Sequence, residues 1–292
     1  MKSFIRLPLA LLLVLVSAAS TAAPAPPKAA SASSKAEAPR GKNYSFAVSE
    51  GTSGSIDPMQ AVAKYRPLAD VMQKVMGRPV LVSLVRSFED LESGMQRGDF
   101  DFVMARPSDY PARGVRDYKY TLVATSKPDG QCLFIVEKSS PIKKITDVKG
   151  KNFIFPEKIA YMTKFCSAEL RDRGIDLKIE SVKYAKEQGA VAWSVENKLM
   201  DVGGIASYAG VAKTWEKSGQ RILHKSIAQP YSPLIAHPNI PAEKVVALQK
   251  ALGDLAKADE GKNVLKSIGI EALNPESPER LLALLAWLEK TN

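Results

Sequence analysis

The stretch from Tyr65 to Tyr110 reads as helix, strand, helix, strand, and that alternation leaves few folds open. Ala61, Val62, Tyr65, Leu68, Ala69, Met72, Val75 and Met76 recur at helical spacing. Gly77-Arg78-Pro79 stops that helix. Val80 to Val85 is a nearly continuous apolar run, the pattern of a strand covered on both faces. Ser87 is placed to cap a second helix that buries Leu91 and Met95. After Gly98, the residues Phe100, Phe102 and Met104 alternate as in a strand, and Arg106-Pro107-Ser108-Asp109-Tyr110 forms a polar turn at its carboxyl end. Strands alternating with helices imply right-handed crossovers and a parallel sheet. Ligands of such sheets bind outside the carboxyl ends of the strands, so the turns that follow each strand carry the functional expectation.

The same alternation continues on both sides. Tyr44, Phe46 and Val48 read as the first strand, followed by the Gly/Ser/Thr turn Ser49–Ser55. Tyr120–Ala124 is a strand, Lys127–Gly130 a turn, and Cys132–Val136 a strand that crosses into a second lobe. There Ile145–Val148 is a helical turn and Phe153–Phe155 a strand. Helices are expected over 157–173 and 189–200, the latter with Val191, Trp193, Val195 and Leu199 facing inward. Strands are expected at Ile179–Val182 and Asp201–Ile205. Ile222–His224 and Leu234–Ala236 read as the return to the first lobe, and the apolar final helix, Pro278–Lys290, as docked upon it. The expectation is an α/β chain of two lobes joined by a two-strand hinge. Lobe 1 comprises residues 42–125 and 223–292, and lobe 2 residues 126–222.

Charge and chemistry narrow the function. The 41 basic and 31 acidic residues give a formal +10, but six of the basic and one of the acidic lie among the first 42, leaving 35 against 30. The remaining Lys and Arg are scattered, with no basic run interleaved with aromatics, so nucleic acid is not an expected partner. Lys2 and Arg6 precede an apolar run, Leu7–Ala19, too short to span a bilayer, and small residues follow. Residues 1–22 are read as a cleaved signal peptide and 23–41, rich in Ala, Ser and Pro, as a disordered linker. Export places Cys132 and Cys166 in an oxidising compartment, where one disulfide and two separate buried thiols are both open. His224 and His237 are far apart and near neither cysteine, Asp99 and Asp101 read as solvated, and no nucleophile motif appears. No metal, cofactor or catalytic residue is expected.

One family shares the order and spacing of these segments. Tyr65-Arg66-Pro67-Leu68-Ala69-Asp70, Gly77-Arg78-Pro79-Val80, Gly98-Asp99-Phe100-Asp101 and Pro107-Ser108-Asp109-Tyr110 resemble the first lobe of phosphonate/phosphite-type periplasmic solute-binding proteins of ABC importers. Asp147-Val148-Lys149-Gly150-Lys151 and Asn197-Lys198-Leu199-Met200-Asp201 continue the likeness. It implies a type II periplasmic-binding-protein fold, a small polar or anionic solute, a permease in the inner membrane and a monomer in the periplasm. A module presenting its closed form to a receptor kinase, or an enzyme on the same scaffold, would use the same cleft. The expected ligand contacts are Thr52, Ser53, Phe88, Arg106, Ser108 and Tyr110 in lobe 1. In lobe 2 they are Glu157, Lys158, Tyr161, Lys186, Gln188, Ser207 and Tyr208. The Ser-Thr-Ser-like cluster with which the family's phosphonate binders grip phosphorus oxygens is absent. Phe155-Pro156-Glu157-Lys158 stands in its place, with a proline lacking an N–H and a carboxylate that would repel a dianion.

Overall fold

A computed structural model describes residues 43–53 and 56–290. The expected signal peptide and linker lie outside these residues. The chain first builds β1 (Tyr44–Ser49), α1 (Pro58–Met76), β2 (Val80–Leu84), α2 (Phe88–Arg97), β3 (Phe102–Ala105), α3 (Asp109–Asp117) and β4 (Thr121–Gly130). It then forms β5 (Cys132–Val136), a 3₁₀ turn at Ile145–Val148, β6 (Asn152–Pro156), α4 (Tyr161–Asp172), β7 (Ser181–Ala185), α5 (Gln188–Glu196), β8 (Val202–Ala206), α6 (Gly210–Trp215) and β9 (Arg221–Lys225). It returns through β10 (Gln229–Ala236), α7 (Ala242–Gly253), α8 (Asp259–Ser267), β11 (Ala272–Asn274) and α9 (Glu279–Glu289).

Two sheets result, ordered β11-β4-β10-β3-β1-β2 and β7-β6-β8-β5-β9. In each, βα units supply a parallel part: β1 pairs in parallel with β2 and β3, and β6 with β7 and β8. Local signals set the helix ends. Asp57 accepts from the Gln60 amide while the Gln60 side chain accepts from the Asp57 amide, a reciprocal cap at the start of α1. Ser87 accepts from the Asp90 amide at the start of α2. Gly77 and Gly98, both at φ +73°, end these helices in the left-handed conformation that glycine adopts without a Cβ clash. The first sheet is covered on one face by α1 and α7, through Tyr65, Leu68, Met72 and Leu248, and on the other by α2, α3 and α9. Phe153, Phe155, Phe165 and Cys166 form one face of the second sheet's core; Val191, Val195, Ile205 and Trp215 form the other.

The two crossings between sheets run side by side. Gln131 Nε2 donates to the Ser226 carbonyl at 2.7 Å, the Cys132 amide to Ser226 Oγ at 2.8 Å, and the Ser226 amide back to the Cys132 carbonyl at 2.9 Å. Of the two open readings for the cysteines, the bonded one holds. Cys132 at the head of β5 is linked to Cys166 in α4, with Cα atoms 5.5 Å apart and a sequence separation of 34.

Several sequence expectations change. β2 is an edge strand rather than a doubly covered one, and Leu81 is 49% exposed; an apolar run does not say where in a sheet it lies. Lys127–Gly130 is the end of β4, not a turn, and carries a cis Lys127–Pro128 bond. α4 begins at Tyr161, so Glu157 and Lys158 precede it in an exposed turn. Trp193 and Leu199 face solvent: a spacing of two puts Trp193 on the side of α5 opposite Val191 and Val195. Val62 is exposed as well. β9, read as part of the return, pairs with β5 in the second sheet. Asp101 is buried, where its carboxylate accepts from the Ser45 amide and hydroxyl. The short helices α3 and α6 stand where the sequence expectation holds no helix. α9 is docked as expected through Leu281, Leu284 and Leu285, but it also reaches the second lobe. Trp287 Nε1 donates to Asp172 at 2.6 Å, and Arg171 donates to the Trp287 and Lys290 carbonyls.

Candidate functional site

The turns that follow β1 and β3 meet at a buried ion pair. Arg106, just past β3, donates its amide to the Ser49 carbonyl at 2.9 Å. Its side chain points back so that Nε stands 2.8 Å from Glu50 Oε2. The other oxygen of Glu50 accepts from Lys64 Nζ at 2.6 Å and from the Tyr65 hydroxyl at 2.7 Å, both supplied by α1. Arg106 Nη2 also donates to the Ile268 carbonyl at 3.4 Å. The guanidinium lies 5.8 Å and 6.0 Å from the ring centres of Tyr208 and Tyr231, which stack on each other at 4.0 Å. One carboxylate therefore receives three donors, which suits a charge that has left water.

These contacts set the acidity of the site. Burial pushes the Glu50 carboxyl up, but Arg106 and Lys64, with hydrogen bonds from Lys64 and Tyr65, outweigh it and hold Glu50 below its ordinary value of 4.5. A lowered native value means that the stabilisation from this group is complete above the unfolded value and is lost as pH falls through the native one. Glu50→Gln is accordingly expected to cost stability at pH 7 and much less at pH 3, read from urea midpoints of both proteins. An equal gap at the two pH values would show that the charge of Glu50 does not matter.

The second lobe faces this cluster with the turns after β6, β7 and β8. Gln188 opens α5 and is buried. Its Oε1 accepts from the Ala206 amide at 2.6 Å, while its amide and Nε2 donate to the carbonyl and hydroxyl of Thr52 in lobe 1, each at 3.4 Å. Lys164 on α4 pairs with the buried Asp109 at 2.7 Å, and Arg113 approaches the same oxygen at 3.4 Å. Beside them Phe88 and Tyr110 stack at 5.4 Å, with Arg113 over the Tyr110 ring. Burial and then Asp109 raise the Tyr110 hydroxyl to about 12, against the opposing pull of Arg113.

Among the described residues, three of the spaces along the junction of the lobes take in residues of this region. At the mouth, a cavity of about 520 Å³ opens outside the carboxyl ends of β1, β2, β6 and β7 and takes in the expected residues Thr52, Phe88, Glu157 and Lys186. In the middle the gap narrows to about 10 Å³, room for no more than one water, among Thr52, Ser53, Phe88, Arg106, Tyr161, Gln188 and Tyr208. On the hinge side a cavity of about 710 Å³ is bordered by Ser207 and Tyr208. Ser108, Tyr110 and Lys158 border none of the three. Sequence reasoning missed Glu50, Lys64, Tyr65, Asp109, Lys164 and Tyr231. Glu50 had a usable signal, since it directly follows β1. Lys64 and Tyr65 sit on a helix whose periodicity speaks only of packing, and nothing local marks Tyr231. Among the described residues no group of three or more His, Cys, Asp or Glu could hold a metal ion.

The fold has counterparts elsewhere. The family model of ABC transporter, phosphonate, periplasmic substrate-binding proteins matches residues 51–281. Among solved structures, XAC2383 from Xanthomonas citri, bound to ATP, superposes with a TM-score of 0.69 and 16% identity over 85% of this chain and 98% of its own. PhnD1 from Prochlorococcus marinus, in complex with methylphosphonate, gives 0.66 and 13% over 84% and 97%. A binding protein component of an ABC phosphonate transporter from Pseudomonas aeruginosa gives 0.65 and 17% over 84% and 85%. At such identities these likenesses speak for the fold alone. No curated protein sequence matches the chain.

Proposed function

Because this chain belongs to the family of periplasmic substrate-binding proteins of ABC phosphonate transporters, we propose that it captures a small polar or anionic solute between its lobes and delivers it to an inner-membrane permease. The family is periplasmic and serves transport rather than catalysis. The observation that carries the reading is the 520 Å³ mouth cavity, which both lobes line and which lies outside the carboxyl ends of parallel strands in each. Its depth leads toward Arg106 and Gln188, where the remaining 10 Å³ admits no solute. A solute reaches those groups only if the lobes part about the paired crossings at Gln131 and Ser226. Opening and closing about that hinge is therefore part of the proposal.

The solute is not a simple phosphonate dianion in this reading. α4 starts at Tyr161 behind Ala160, without a side-chain cap, and Glu157 stands at the mouth. The charge of Arg106 is directed to Glu50. A carboxylate, sulfonate or zwitterion that asks for fewer donors fits better than a doubly charged group.

Thermal melting of the purified chain against phosphonates, sulfonates, carboxylates and amino acids tests this. A solute at 100 times its Kd should add about 2.7 kcal/mol of stability by mass action. Scattering should show a smaller radius of gyration with it bound. If no compound raises Tm and native mass spectrometry finds no small molecule carried through purification, the transport reading fails.

A further inference from the structure

The largest cavity of the three is not the mouth of the cleft but the space on its hinge side, about 710 Å³. We propose that it is a second ligand site, taking a planar aromatic ring that carries one anionic group. The site lies apart from the mouth, with which it shares no lining residue, whichever solute the mouth takes.

Three observations lead there. The first is an aromatic wall. Tyr208 of lobe 2 lies flat on Tyr231 of lobe 1, and Tyr208 remains partly open to the cavity. It fits because Gly130, at the crossing, has no Cβ: an added one would meet the Tyr208 ring at 3.0 Å. Pro128, Ala256, Leu265 and Ile270 complete an apolar floor. A ring laid on Tyr208 would bury apolar surface and keep the offset stacking that aromatic pairs favour.

The second is charge. Lys213, Lys262 and Lys266 border the cavity against Asp129 and Glu271. Asp129 is held by Lys127 at 2.7 Å and Arg280 at 2.6 Å, and Lys262 is paired with Asp259 at 2.8 Å. Lys213 and Lys266 have no ion pair among the described residues. The field of Lys213 reaches Lys64, whose ammonium is pushed down by burial first, then by Arg106, with Glu50 opposing and Lys213 adding. The cavity thus offers two exposed ammonium groups, one from each lobe, beside an aromatic wall. One carboxylate, sulfonate or phosphate monoester would suit them.

The third is an unsatisfied group in the same wall. The Tyr231 hydroxyl is buried and has no hydrogen-bond partner among the described residues. A lone buried hydroxyl is costly, so the stack is not a fully satisfied piece of core. Because Tyr208 travels with lobe 2 and Tyr231 with lobe 1, parting the lobes would take the wall apart. A ligand resting on it would favour the arrangement in which the rings are stacked, coupling the cavity to the hinge.

Titration of the whole chain with benzoate, by calorimetry and by amide chemical shifts, tests the site. Benzoate is expected to bind and to move the amides of Ser207, Gly269 and Ile270. Cyclohexanecarboxylate, equal in charge but not planar, should bind about tenfold more weakly. The double variant Lys213→Ala/Lys266→Ala, altered at two exposed positions, should weaken benzoate by about tenfold while leaving Tm of the free protein unchanged. Phenyl phosphate should follow benzoate. The proposal is overturned if planar and non-planar acids bind alike, if neither binds, if the double variant binds benzoate as well as the parent, or if the shifts fall at Phe88 and Lys186. That last result would assign the acid to the mouth and leave the transport reading standing.

Discussion

Arg106→Ala is expected to lower folding stability by about 3–5 kcal/mol, measured by urea unfolding at pH 7. Glu50 and Arg106 are both buried, and the pair is 2.8 Å apart. Removing the guanidinium leaves Glu50 with Lys64 and Tyr65 on one oxygen and no partner for the other. It also withdraws the donor on the Ile268 carbonyl and the cation beside Tyr208 and Tyr231. Arg106→Lys should rescue little, since an ammonium lacks the planar fork that serves Glu50 and Ile268 together. The double variant Arg106→Met/Glu50→Leu should lose less than Arg106→Ala alone, because no charge is then left stranded. A loss below about 1 kcal/mol in Arg106→Ala would mean that water enters the cluster and that the pair is not a buried one.

Breaking the disulfide comes next in size. Cys132→Ala/Cys166→Ala releases a loop of 34 residues in the unfolded chain and is expected to cost about 3–4 kcal/mol. Both cysteines are fully buried, so a reductant should act on the unfolded chain and leave the native one untouched over short incubations. The comparison is a pair of urea curves, parent and double variant, each with and without reductant. The parent should move toward the variant once reduced, and the variant should not move at all. If the parent is as stable reduced as oxidised, the bond contributes nothing to this fold.

The sequence spoke clearly where periodicity and punctuation coincide. α1, α2, β1, β3, β5, β6 and β8 fall where apolar spacing, Ser87, Gly77 and Gly98 put them, and the two-lobed order follows from the alternation. It spoke poorly where a residue's neighbours are distant in the chain. Leu81 looks like core until the strand order shows β2 at the edge. Lys127-Pro128-Asp129-Gly130 carries every local mark of a turn, yet β10 and β11 hold it in a ladder. The gathering of the candidate residues was legible in outline. Thr52, Phe88, Arg106, Tyr161, Gln188 and Tyr208 do converge, because turns after strands gather on one side of an α/β sheet. Arg106's partner was not legible: Glu50 lies 56 positions earlier, and only the register of β1 beside β3 brings the two together.

The path of the chain through its first sheet also bears on how the protein must be made. β10 lies between β3 and β4, so residues 229–236 are wedged into the centre of a sheet whose other long strands come from the first 130. The amino-terminal half cannot complete its ladder when it leaves the ribosome; it must wait for the whole second lobe to be synthesised before the missing strand arrives. Such distant pairing is slow to form. Until residue 236 emerges, β3 and β4 keep the edges that β10 will fill open, and the first sheet stays unfinished.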